Sequence, residues 1–127
     1  MVTLDKTRHN GARARLIPLV LGTIVTLVAL ALLAATIVPW ILWAYNVEEA
    51  GRDLDQGLVW PEPRSPNTLP RMRDEQSLEQ ALAHLAAAIR WRHDQAYAFR
   101  LASHVYGARR EWLQAAEALE QARVIEP

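Results

Sequence analysis

From Leu16 to Val47 the chain carries no charged residue, and its middle, Leu19 to Val38, is almost wholly apolar. About 20 such residues in an α-helix cross a hydrocarbon core of roughly 30 Å. Pro18 suits the first turn of that helix, where its missing N–H is not needed. From Pro18 to Pro39 a helix rises about 33 Å at 1.5 Å per residue, which matches the core. The pattern predicts a transmembrane helix over 16–45, with Pro39 able to kink it. Trp40, Trp43 and Tyr45 close that segment. They read as an aromatic belt at the outer boundary, because amphipathic rings favour that depth. Val47, Ala50, Leu54 and Leu58 then keep helical spacing, with Glu48, Glu49, Arg52, Asp53 and Asp55 between them. A juxtamembrane helical extension over 46–59 follows, ended near Gly57.

The pattern then breaks. Pro61, Pro63, Pro66 and Pro70 fall within a short polar stretch, and they predict a semi-rigid, extended linker over 60–76. From Ser77 the chain turns Ala-rich, and Leu78, Ala81, Leu82, Leu85, Ala88 and Ile89 form an apolar stripe at helical period. Ser77 with Gln80 three residues on reads as a capping box at the start of this helix. Arg90, Trp91 and Arg92 close it, and His93-Asp94 makes the turn. Two more helices are expected, from about Gln95 to Gly107 and from about Glu111 to Val124, antiparallel across the short Ala108-Arg109-Arg110 link. The fold class is all-α: one N-terminal transmembrane helix, a Pro-rich spacer and a helical hairpin array over 77–127.

Charge orients this arrangement. The 14 basic and 14 acidic residues cancel, but unevenly. Lys6, Arg8, Arg13 and Arg15 precede the apolar run against Asp5 alone, which leaves ten bases and 13 acids after it. Lys and Arg close to a span are retained on the cytoplasmic side. Residues 1–15 are therefore expected to be a mobile cytoplasmic tail, and the C-terminal part to lie outside (periplasmic) at a cell inner or plasma membrane. A cleaved signal peptide has an apolar core of only about 7–15 residues and a small-residue cleavage site. Here the run is longer and ends in Pro39-Trp40-Ile41-Leu42-Trp43, so an uncleaved signal anchor fits better.

The C-terminal segment carries a repeat pattern. A tetratricopeptide repeat of about 34 residues reads W-x2-L-G-x2-Y, then A-x3-F, then P. This chain reads Phe99-x2-Ala102-Ser103-x2-Tyr106, then Ala115-x3-Leu119, then Ala122 and Pro127. It resembles that family over about one and a half repeats, with Ala81, Leu85, Ala88 and His93 in the places of a preceding second helix. The small residues would let two helices approach, while Phe99, Tyr106 and Leu119 would fill the gaps. The resemblance implies that Tyr97, Arg100 and His104 share the groove-facing side of the first helix. They could take an acidic or C-terminal peptide group by charge-assisted hydrogen bonds. Repeats bury their apolar faces against neighbours, and about three are normally needed. The face left open here is expected to meet another subunit, the membrane surface, a second copy or further repeat sequence.

Chemistry is scarce by comparison. Cysteine is absent, which removes thiolate and disulfide chemistry. His9, His84, His93 and His104 include no pair at i, i+4, and no Gly-rich phosphate loop or nucleophile elbow occurs. Glu117 with Gln121 and Glu120 with Arg123 read as a solvated helix face. Arg90, Arg92, Arg100, Arg109 and Arg110 are too interrupted by acids to form a nucleic-acid footprint. Within the span, Gly22, Thr26, Ala29 and Thr36 fall near one side, where small residues allow helix packing in lipid.

The expectation is a non-catalytic, single-pass membrane subunit, without cofactor, metal, nucleic acid or small-molecule substrate. Its outer part would dock on and stabilise a larger membrane complex, an energy-transducing one among the candidates. The alternative is a membrane-anchored adaptor or assembly factor that binds peptides transiently, and a piece of a longer repeat protein is a further one.

Overall fold

The computed structural model describes residues 2–62 and 68–127, with side chains at residue 11 and from residue 13 onward. Among the described residues the protein is all-α apart from one two-residue strand pair. Its elements are α1 (Val2–Gly57), β1 (Leu58–Val59), β2 (Arg71–Met72), α2 (Glu75–Trp91), α3 (Ala96–Ala108) and α4 (Trp112–Ile125). The chain divides into two units, Met1–Val38 and Pro39–Pro127.

The first unit is helix alone. The backbone is helical from Val2, well ahead of Pro18, so the expected mobile tail over 1–15 is helical backbone in the structure. Between residues 2 and 15 there is one glycine and no proline, and nothing there stops a helix from growing. From Leu16 to Val38 every side chain is exposed. The hydroxyls of Thr23 and Thr26 donate to the carbonyls of Leu19 and Gly22 at 2.9 and 2.8 Å, so no polar group there needs an outside partner. Thr36 does the same with Leu33 at 2.8 Å. Among the described residues one helix, near the N-terminus, is long and apolar enough to cross a membrane.

The second unit holds the core. Ala50, Leu54 and Leu58 join Leu78, Ala81, Leu85 and Ala88 of α2 and Ala98, Ala102 and Val105 of α3 in one buried cluster. The last turns of α1 thus belong to the folded unit rather than forming a free-standing juxtamembrane rod. Helix α1 ends at Gly57, whose carbonyl accepts from Arg73 N at 2.7 Å and Asp74 N at 3.4 Å. Leu58 pairs with Met72 and Val59 with Arg71, antiparallel. Leu58 and Val59, just before the segment expected over 60–76 as an extended spacer, are therefore paired with Arg71 and Met72 within it, and its last residues, Glu75 and Gln76, already belong to α2. Pro63 and Pro66 lie outside the described residues.

Helix α2 starts earlier than the Ser77 capping box suggested. Asp74 is its N-cap, accepting from Gln76 N at 3.3 Å and from the Ser77 hydroxyl at 2.6 Å. Ser77 is buried as the third helical residue, serving the cap instead of being it. Helix α3 ends in a Schellman turn: Glu111 N donates to Tyr106 O at 2.9 Å and Arg110 N to Gly107 O at 3.1 Å. Arg110 sits at the left-handed position with φ 62°. That turn folds α4 back on α3, and the small faces Ala98/Ala102 and Ala115/Ala118/Ala122 are buried.

Candidate interaction surfaces

Four features of the second unit carry polar or aromatic chemistry. The first is a cleft of about 560 Å³ bordered by the end of α1, Trp60 and one face of α3. Tyr97 and His104, two of the three groove residues expected from sequence, both line it. The Trp60 ring meets His104 edge-on, with centroids 5.3 Å apart. Burial pushes the His104 imidazole below its ordinary pKa, which favours the neutral ring. Arg73, Asp55 and Glu62 add both signs of charge to the rim. Arg100 is not there. It donates to Glu126 at 2.7 Å, beside Ser103 and Leu119. Trp60 was missed because the prolines after it made it look like spacer; only its tie through β1 brings it back over α3.

The second feature is the outer face of α4. Trp112 and Leu119 are exposed, and Leu113 and Val124 are 71% and 70% exposed. Among the positions matched to the repeat, Ala102, Ser103, Ala115 and Ala122 are buried, and Phe99 and Tyr106 are half-buried. Leu119 departs from its expected gap-filling place, being 53% exposed, and Pro127 is exposed too. Ala115, Ala118 and Ala122 already fill the inward face at spacings of three and four, and Leu119 lies about 100° around the helix from Ala118.

The third is a polar link between α1 and α2. Asn46 is buried and its amide donates to Leu42 O at 2.7 Å. Its oxygen accepts from His84 Nδ1 at 3.3 Å, and His84 Nε2 lies 3.7 Å from Asp53 Oδ2. That separation is beyond hydrogen-bond reach, and the buried Oδ2 makes no other bond.

The fourth is the start of the unit. Trp40 meets Trp43 edge-on at 6.0 Å, and the Arg92 guanidinium stacks 3.5 Å above the Trp40 ring centroid. Arg92 also forks onto Asp94, with Nε donating at 3.0 Å, and this bond holds the Asp94 carboxyl below its ordinary pKa. Of the three belt residues, Trp40 and Tyr45 are exposed, whereas Trp43 packs against the buried cluster. Trp43 is thus as much a core residue as a boundary one. Of the residues expected to pack in the membrane, Gly22, Thr26, Ala29 and Thr36 all lie on the exposed surface of the first unit, and nothing is within 4 Å of a Cβ built on Gly22.

No family model, no curated protein and no solved structure matches this chain.

Proposed function

We propose that this chain is a non-catalytic, single-pass membrane subunit whose tetratricopeptide-like helical part docks on a larger membrane protein complex and stabilises it. The supporting observation is the exposure of Trp112, Leu113, Leu119 and Val124 along α4. Large apolar side chains left exposed along one helix suit burial against a partner. The excess of Lys and Arg before the span supports an N-terminus in the cytoplasm and a docking part on the periplasmic side.

The test uses the absence of cysteine. A Leu113→Cys variant carrying a cross-linker, expressed in native membranes, should join one stoichiometric membrane partner before mild detergent extraction. Recovery of an uncross-linked, cooperatively folded monomer would reject the reading. The Trp60–Tyr97–His104 cleft favours a second reading, a membrane-anchored adaptor that captures peptide segments. Its signature would be salt-sensitive peptide binding lost on Tyr97→Ala and retained on Arg100→Ala.

A further inference from the structure

We infer that the C-terminal end of α2, Arg90-Trp91-Arg92-His93, rests on the phospholipid headgroup layer as a second contact of this protein with the membrane surface. The inference rests on the apolar span being in the bilayer. Two charges then fix the depth of the boundary. Arg92 stacks on Trp40 and forks onto Asp94, so Trp40 cannot enter the hydrocarbon without dragging an ion pair along. Moving the helix the other way would pull Arg15 into lipid. After Arg15, the 23 uncharged residues from Leu16 to Val38 make roughly 35 Å of helix, little more than the hydrocarbon thickness. Trp40 therefore stands at the headgroup level, and Arg92 brings the end of α2 to the same level.

What that end presents suits such a layer. Trp91 is 46% exposed although it is the last residue of α2, and an indole is the side chain best suited to the interface. Arg90 is exposed in the last turn and has no ion pair among the described residues. Its guanidinium offers the fork of donors that phosphate oxygens accept. The nearby acid, Asp94, is already held by Arg92. His93 is exposed beside them.

The full chain, reconstituted in vesicles of phosphatidylcholine with some phosphatidylglycerol, tests this. Single-cysteine variants at Leu30, Gln56 and His93 would each carry a fluorophore, with nitroxide quenchers on the headgroup or deep in the acyl chain. Gln56 is the control, about 24 Å further along α1 than Trp40. Headgroup nitroxide should quench the label at residue 93 several-fold more than at residue 56, and the double replacement R90Q/W91A should reduce that difference. Equal quenching at 93 and 56, with Leu30 quenched by the deep nitroxide, would overturn the inference and leave the anchor standing. Failure of the deep nitroxide at Leu30 would overturn both.

Discussion

Gly57 and Gly51 lie six residues apart on α1, and the same substitution should move stability in opposite directions. Gly57 has no positive φ, so its role is one of space rather than backbone freedom. A Cβ there would come 2.7 Å from Leu78 Cδ2, 3.1 Å from Leu78 Cγ and 3.3 Å from Asp74 O. Leu78 is fully buried and Asp74 O accepts from Leu78 N, so neither neighbour can swing aside freely. Overpacking of this kind costs about 1–3 kcal/mol. At Gly51 a Cβ meets nothing within 4 Å, and Gly→Ala inside a helix gains about 0.5–1 kcal/mol. For a unit of this size each kcal/mol moves the melting midpoint by about 4–8 °C. Gly57→Ala should therefore lower Tm by roughly 4–24 °C, and Gly51→Ala should raise it by about 2–8 °C. All five tryptophans lie in the second unit, so tryptophan emission of the full chain in detergent reports its melting. A Gly57→Ala midpoint at or above that of the parent, or shifts of one sign for both variants, would refute the packing at the α1–α2 junction.

Three further outcomes follow from the same geometry. Arg110 holds a left-handed φ at the end of α3, so Arg110→Gly should stabilise by about 0.5–1 kcal/mol in the same melt. Asp74→Ala should lower the midpoint and Asp74→Asn less, since the Asn oxygen keeps an acceptor for Gln76 N while its NH2 can only donate to the Ser77 oxygen that now donates to Asp74. Because the Ser77 bond lowers the Asp74 pKa, its contribution is present above the ordinary carboxylate range and is lost as pH falls through the lowered value. For His104 the burial-lowered pKa means that the unfolded chain takes up a proton first as pH drops below about 6.5. Stability should fall there, and His104→Gln should flatten that part of a Tm-against-pH curve.

The helices were legible because their signals are local. Helix α2 ends at Trp91 before the His93-Asp94 turn, and α3 and α4 begin and end within a residue of the bounds expected on either side of the Ala108-Arg109-Arg110 link. What escaped depends on residues far apart in sequence. The β1–β2 pair joins residues separated by the prolines, and two-residue strands have no period to read. Asn46 and His84 are 38 residues apart, and each looks like an ordinary polar position on its own helix. Asp74 went unread as a cap because Ser77 and Gln80 match a capping box three residues later. In the cleft, Tyr97 and His104 share a helix face at i and i+7 and were found together. Arg100, one turn from Tyr97, was drawn away by Glu126.

The Asn46–His84–Asp53 link bears on how α1 can rotate. Aliphatic packing between two helices tolerates sliding and turning, because one methyl group resembles the next. Here Asn46 and Asp53 sit two turns apart on α1 and flank one imidazole, so turning or shifting α1 by a single residue would take the buried Asn46 oxygen away from the His84 ring nitrogen that donates to it. Replacing all three by leucine would keep the helices together and remove their fixed azimuth. The polar trio is a locating pin: it adds little adhesion, and it selects one rotational setting of the α1 stem against α2.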